Sequence, residues 1–489
     1  MPPVEFWCDP DGATVPLPHN WEHTIGSDHA AMALRAEYQE QLKRCHDELG
    51  IGHVRFHGLL SHDMGTLSKH GRTRIASFHN AHAIWDFLLE IGMKPFVELS
   101  FMPEALASGS GTVFHYRGNV MPPTRYADWA HLIGGLARSA IDRYGASEVV
   151  TWPFEVWNEP NLRSFWQGTR AQYWRLYATT ARALKEVHAN IPVGGPATAQ
   201  NAWIDEFLDV SEKHGIPVDF VSTHHYPTDG TVQRFADTVT QLAHAQRGVL
   251  REEALDARRR ARGKPLYYTE WNTSADSRDP LHDEPYAAAF IVKTLLDGHG
   301  IADVYSFWTF SDLFEESYFP SEPFHGGFGL LTIHGIAKPS YRAFELLHAV
   351  GTELVTPIDG MHPTVDTWCV RANQGRAVAV IVTNHAYPRR PIIGERVLVH
   401  LATTRRPRGA TLAQIDDDHA NAKRRWREMG APPYPSHAQV DELHAASSVT
   451  RVTHQLRFDA LGVHVEVDVP PQGVAVVFLD FDDAIGSAA

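Results

Sequence analysis

The chain has 489 residues, 43% hydrophobic and 21% charged, a balance that suits a folded globular protein. It excludes a disordered chain, a collagen-like fibre and a small disulfide scaffold. Lys and Arg total 44 against 58 Asp and Glu, a formal charge of −14, which disfavours general binding to nucleic acid or to an anionic membrane.

In chain order, residues 1–16 precede the first regular unit and offer an edge strand to a later sheet. They lack a basic segment followed by an apolar run, so no signal peptide is expected. No stretch reaches the roughly 18 apolar residues that span a bilayer. The expectation is a cytoplasmic enzyme with no membrane partner. Residues 17–350 then repeat one pattern, a short apolar strand followed by an amphipathic helix. The strands read as Trp21–Gly26, Gly52–His57, Pro95–Ser100, Val149–Trp157, Ile191–Gly195, Val218–His224, Leu266–Trp271 and Val304–Thr309. Helical periodicity marks Leu34–Leu49, Arg72–Ile91, Tyr126–Tyr144, Thr169–Ala189, Ala202–His214, Thr231–Arg262 and Glu284–His299. Apolar strands alternating with helices imply a parallel sheet, and eight such units fit a (β/α)8 TIM barrel. An open doubly wound sheet is the alternative. No glycine-rich fingerprint follows the first strand, and Gly109-Ser110-Gly111 reads as a flexible turn.

After the turn-rich segment Gly351–Pro363 the texture changes. Thr367–Val370, Ala377–Thr383, Arg396–Leu401, His464–Val469 and Val474–Asp480 read as strands without long helices between them. They define a C-terminal β-sandwich domain, residues 351–489. Ala410–Met429 and His437–Ala446 read as local helices or a lid-like insertion. Basic runs at Arg258–Arg260 and Lys423–Arg425 read as solvated helix faces, so no nucleic-acid partner is expected. Cys8, Cys45 and Cys369 are widely spaced, form no CxxC and are odd in number; they read as unreactive thiols.

In such a barrel chemistry sits at the C-terminal ends of the strands. The fourth strand ends Phe154-Glu-Val-Trp-Asn-Glu159-Pro-Asn161 and the seventh Tyr267-Tyr-Thr-Glu270-Trp-Asn-Thr-Ser274, each with a glutamate at its tip. Two carboxylates at one mouth are the equipment of glycoside hydrolysis: one protonated to donate, one ionised to attack. Trp157 and Pro160 give Glu159 an apolar setting, which raises a carboxyl pKa by desolvation. Strict alternation turns Thr269 and Trp271 towards the helices and Glu270 and Tyr268 towards the axis. Glu155, Glu98 and Asp205 read as barrel-interior ion-pair partners. His224 and Tyr226 share one face, as do Arg55 and His57; His225 points away and reads as structural. The His224-His225 pair has no third ligand at suitable spacing, so neither a metal nor a cofactor is expected.

These segments resemble glycoside hydrolase family 39 of clan A, the β-xylosidase and α-L-iduronidase family. The likeness runs in order through Val54–Gly58, Pro95–Leu99 with Phe101–Pro103, Phe154–Pro160, Tyr268–Thr273, and Phe307–Asp312 with Phe314–Glu316. The bacterial β-xylosidase branch is the nearer one, since its members also carry a C-terminal sandwich. The resemblance implies a retaining exo-β-1,4-xylosidase that releases xylose from xylo-oligosaccharides, with Glu159 as acid/base and Glu270 as nucleophile. It implies substrate contacts from His57, Asn158, His224, Tyr226, Trp308 and Glu316, with Glu315 as the fallback, and support from Arg55. Phe324 and His325, in the loop Phe319–Phe328, are further candidates for the pocket wall. Homo-oligomers occur in the family. Retention implies carboxyls about 5–5.5 Å apart. Other readings are an arabinosidase side activity, a β-glucosidase, an α-L-iduronidase, or a non-catalytic carbohydrate-binding barrel.

Overall fold

The computed structural model describes residues 2–71, 73–229, 237–316, 318–482 and 485. Eight parallel strands close into a barrel in chain order. They are β1 (Thr24–His29), β2 (His53–His57), β3 (Lys94–Glu98), β4 (Phe154–Glu155), β5 (Val193–Thr198), β6 (Phe220–His224), β7 (Leu266–Trp271) and β8 (Val304–Phe307). The helices that follow them are α1 (Ala36–Leu49), α2 (His79–Glu90), α3 (Tyr126–Tyr144), α4 (Arg170–Val187), α5 (Ile204–Lys213), α6 (Val249–Arg260), α7 (Pro285–Asp297) and α8 (Pro339–His348). The chain is thus a TIM barrel. In α3 the buried Trp129, Leu132, Ile133, Leu136, Ala137 and Ala140 recur every three or four residues and form the face that packs inward. Thr169 and Gln172 cap α4 reciprocally, and α1 ends at Gly50, whose φ of 72° suits a residue without Cβ.

Several elements depart from their sequence-based spans. β1 lies a few residues beyond Trp21–Gly26. β4 is only two residues long: Ala146–Val149 makes a helical turn, and Pro153 has no N–H for a ladder. Beyond it, Trp157 and Glu159 have φ of 74° and 42°, which no strand holds. The first part of the expected helix 72–91 is instead a hairpin, Leu67–His70 with Thr73–Ala76, and Arg72 lies outside the described residues. The expected helix 231–262 is two helices, Thr238–His244 and α6, parted at Gly248; residues 231–236 lie outside the described residues. α8 is an eighth helix that the sequence reading did not single out.

Two further sheets pack face to face. One runs in the order Ile358–Asp359, Val4–Cys8, Glu395–Leu401, Gly462–Val469, Arg457–Asp459. The other runs Thr14–Pro16, Glu353–Val355, Val365–Ala372, Ala377–Asn384, Gly473–Asp480, Gly409–Ile415, Val452–Thr453. Of the two N-terminal strands only Thr14–Pro16 is at an edge; Val4–Cys8 lies inside its sheet, parallel to Glu395–Leu401. The interior between the sheets is a valine-rich cluster with Phe6, Cys8 and Cys369, whose thiols hydrogen-bond each other. Gly409–Ile415 corrects the helix read over Ala410–Met429: it pairs along its whole length with Gly473–Asp480, and the helix is only Ala422–Glu428. Among the described residues no helix is long and apolar enough to cross a membrane.

The barrel interior is layered. At the bottom, aromatic rings of His23, His53, Phe96, Phe220 and Tyr267 stack across the axis, with His23 on His53 at 4.3 Å and Phe220 on Tyr267 at 4.6 Å. This floor closes the barrel and leaves the upper end for polar side chains.

Candidate active site

Arg55, from β2, stands above the floor with its guanidinium wholly buried. Its Nε donates to Glu155 Oε2 (2.6 Å), Nη1 to Glu270 Oε1 (2.8 Å) and Nη2 to Asn158 Oδ1 (2.9 Å). Nη2 also lies 2.8 Å from Glu98 Oε2. Glu98 in turn holds His57 Nδ1 at 2.6 Å. Burial pushes the His57 pKa down, but Glu98 and Glu270 outweigh it and the net shift is upward. Five donors in a fixed fork let one arginine orient a whole layer of acceptors.

Glu159 and Glu270 meet above that layer, at His224. His224 Nδ1 is 3.0 Å from Glu159 Oε1 and 3.4 Å from Glu270 Oε2, and all three atoms lie within 4.8 Å of one another. His224 Nε2 is 3.1 Å from Thr269 Oγ1, and Thr269 donates its hydroxyl hydrogen to Glu155 Oε1 at 2.9 Å. Thr269 has no second hydrogen, so His224 Nε2–H donates to it and Nδ1 is a lone pair. Burial drives the His224 pKa down to about 4, so the ring is neutral. Burial drives Glu159 the other way, to about 7, with His57 and Arg55 pulling weakly against it. A protonated Glu159 therefore donates to His224 Nδ1. Glu270 instead accepts from Arg55 and from the Tyr226 hydroxyl, 3.2 Å from its Oε2. Burial, then Glu270 and Glu159, raise the Tyr226 pKa, which keeps this phenol protonated as a donor.

Thr269 thus faces the axis, a correction to strict alternation. Tyr268 is the residue that points outward: its hydroxyl donates to Asn201 at 3.0 Å and its ring lies against Tyr305. Register irregularities on both sides of β7 displace the pattern by one, which brings Thr269 and Glu270 to the interior in succession.

These groups open into a cleft of about 320 Å³ lined by His57, Asn158, Glu159, Tyr226, Glu270, Trp308 and Glu316. Trp308 lies 4.8 Å from the His57 ring. Glu316 Oε1 is 3.7 Å from His57 Nε2, and burial, then Asp28, Glu270, Glu159 and Glu98, raise its pKa strongly. Glu315 turns away to Arg35 at 2.7 Å. Arg55 and His224 lie beneath the cleft rather than on its wall. Phe324 and His325 do not line it. Phe324 packs on Trp426 beside Ile336 and Leu443, because the helices Ala422–Glu428 and His437–Ala446 cover that side. His325 lies against Tyr318 and bonds the Glu322 carbonyl. Asp205 is not interior either: it sits on α5 and pairs with Arg260 of α6 at 2.7 Å. Phe114, Leu162, Phe165, Gln200, Asp229 and Ser277 also line the cleft. They come from loops, where no periodicity announced them. His225 is buried and away from the cleft.

A closed barrel carrying two carboxyl groups at its mouth, one raised by burial to a pKa of about 7 and one held by an arginine, defines a glycoside hydrolase. The chain belongs to Glycosyl hydrolases family 39, whose sequence pattern matches residues 6–459. It is 49% identical over 438 residues to a beta-xylosidase of Caldicellulosiruptor saccharolyticus, covering 88% of this chain and 89% of that one. It is 34% identical over 477 residues to a beta-xylosidase of Geobacillus stearothermophilus, covering 94% and 92%. Its fold superposes on the crystal structure of a monomeric beta-xylosidase from Caulobacter crescentus CB15 with a TM-score of 0.84 at 32% identity, covering 98% and 99%.

Proposed function

We propose that the protein is a retaining exo-β-1,4-xylosidase acting on xylo-oligosaccharides. The observation that carries this reading is the pair Glu159 and Glu270, both within reach of one nitrogen of His224, with burial raising the Glu159 pKa to about 7. In this mechanism Glu270 attacks the anomeric carbon. The bond to the leaving oxygen breaks as that oxygen takes the Glu159 proton. Water then gives a proton to Glu159 and attacks the same carbon, the ester bond to Glu270 breaks, and xylose leaves with β configuration. Oxygen atoms less than 4.8 Å apart suit this double displacement; inverting pairs stand about 6.5–9.5 Å apart.

The other roles follow from position. Arg55 holds Asn158 by its carbonyl oxygen, which leaves the amide hydrogens for the sugar 2-hydroxyl. His57 and Glu316 bond other hydroxyls, and Trp308 packs on the apolar face of the ring. Tyr226 orients Glu270, and His224 orients Glu159. The cleft volume is at the low end for ligand pockets, which favours a chain end over the middle of a polymer. Among the described lining residues none is Lys or Arg, which disfavours a uronate substrate. Free, buried cysteines suit a cytoplasmic location.

The test is a panel of chromogenic β-xyloside, β-glucoside, α-L-arabinoside and α-L-iduronide, with Glu270→Ala alongside and NMR of the first product. The expected result is fastest turnover of the xyloside, β-xylose formed first, and loss of turnover in the variant. No turnover of any glycoside, or α-xylose formed first, would overturn the reading.

A further inference from the structure

We propose that Gln200, Asp229 and Phe165 form a binding site for the leaving sugar, the second xylose of the substrate, and select a pyranose over a smaller leaving group. The inference deepens the reading above and rests on Glu159 as the proton donor.

The described lining residues of the cleft divide by depth. His57, Asn158, Glu159, Glu270, Trp308 and Glu316 are buried and form its floor. Leu162, Phe165, Gln200, Asp229 and Ser277 are only partly buried and form its rim. The terminal sugar must reach Glu270, so it occupies the floor. Its leaving oxygen takes the proton of Glu159, so the second sugar lies beside the Glu159 loop, at the rim. The neighbours of that loop are therefore the neighbours of the leaving sugar. The Glu159 backbone N–H donates to the Ala197 carbonyl at 2.8 Å. Two residues on, the Asn161 side chain accepts from the Ala199 N–H at 3.0 Å and donates to the Ala199 carbonyl at 3.1 Å. The segment after β5 is thereby fastened to the strand end that carries the acid, and Gln200 follows directly. Gln200 and Asn201 have φ of 64° and 52°, a conformation that side chains rarely adopt, and the Asn161 bonds hold this turn. Asp229 reaches the same place from the loop after β6. Its Oδ2 accepts from the Tyr226 N–H at 2.8 Å, and its Oδ1 is 3.4 Å from Gln200 Nε2. The two side chains thus meet at the rim and offer an amide and a carboxyl to the hydroxyls along a sugar edge. Phe165, anchored where its carbonyl accepts from Trp157 Nε1 at 2.8 Å, adds an aromatic ring for the apolar face of the pyranose.

The test compares kcat/KM for xylobiose with kcat/KM for β-D-xylosyl fluoride, whose leaving group is a single atom and reaches no rim residue. Their ratio cancels the fraction of folded enzyme and any change on the floor that both substrates feel. Gln200→Ala removes the amide. Asp229→Asn keeps an acceptor for the Tyr226 N–H and turns a donor towards the rim. Each should lower the ratio of xylobiose to fluoride about tenfold, the loss of roughly one hydrogen bond to the sugar. Phe165→Ala should lower it as well. An unchanged ratio in both Gln200→Ala and Asp229→Asn would overturn the proposal and leave the xylosidase reading intact. Hydrolysis of neither substrate by the wild type would overturn that reading, and this proposal with it.

Discussion

At the scale of single residues, the two central glutamates differ in what surrounds them. Glu159 is buried with a neutral imidazole, whereas Glu270 touches a guanidinium and a phenol. Glu159 must be protonated to begin a turnover and has a pKa near 7, so kcat/KM for xylobiose should fall as pH rises through about 7. A profile flat to pH 9 would remove Glu159 from the acid role. Glu159→Ala should cost about 100- to 10,000-fold on xylobiose and much less on an aryl xyloside with a good leaving group. Added azide should give β-xylosyl azide with this variant and the α-anomer with Glu270→Ala; the reverse pattern would exchange the two roles. Thr269 fixes the His224 tautomer from behind. Thr269→Val removes the acceptor for Nε2–H, an unsatisfied buried donor worth roughly 1–3 kcal/mol. The expected loss is about tenfold in kcat/KM with a shifted alkaline limb; an unchanged limb would deny Thr269 that role. Glu159 and Glu270 were legible in the sequence because strand-tip position and local motif both point to them. Thr269 was not, because alternation holds only until a ladder slips.

At the scale of elements, the layer beneath the mouth joins four strands through one side chain. Arg55 contacts Glu98 of β3, Glu155 of β4 and Glu270 of β7 from its place on β2. Breaking a buried ion set by removing one partner leaves the others uncompensated, at about 3–5 kcal/mol. Arg55→Ala should therefore lower the unfolding free energy read from urea melts by that much, about 3–5 kcal/mol, as well as abolish turnover. A variant of wild-type stability would mean that the buried carboxylates do not depend on Arg55. α3 was legible to the residue because its period is unbroken over 19 residues. β7 was legible as an apolar run between turn residues. Gly409–Ile415 was not: alanine, leucine and glutamine suit a helix, and only the long partner Gly473–Asp480 makes this segment a strand. Phe324 was likewise misplaced because its environment comes from helices about 100 residues further on, a contact that no local pattern carries.

At the scale of the whole molecule, we propose that the barrel and the sandwich share one weakness towards acid. Four histidines, partly or wholly buried, are held neutral in them. Burial, reinforced by His53, lowers His23 to about 3; burial lowers His53 and His224 to about 4 and His385, where the sandwich meets α7, to about 3. An unfolded chain protonates these groups near pH 6.5 and the folded chain does not. Between pH 6.5 and the folded values the unfolded state therefore binds more protons, and stability falls as pH falls. At about 1.4 kcal/mol per pH unit, each group costs roughly 2 kcal/mol at pH 5. His29 has the opposite sign: Asp28 and Asp63 overcome its burial and raise it to about 9, so its contribution is complete below pH 6.5 and fades only towards pH 9. It cannot offset the acid loss, whereas Glu159, raised to about 7, and Glu316, raised strongly, oppose it, because each is protonated in the folded chain before it is in the unfolded one. Because four histidines oppose two carboxyls, the thermal midpoint should hold from about pH 7 to 6.5 and then fall towards pH 5, with net proton uptake on unfolding. His53→Gln should make that drop shallower by the share of one group. A midpoint unchanged between pH 7 and pH 5 would show that these rings find protons without unfolding.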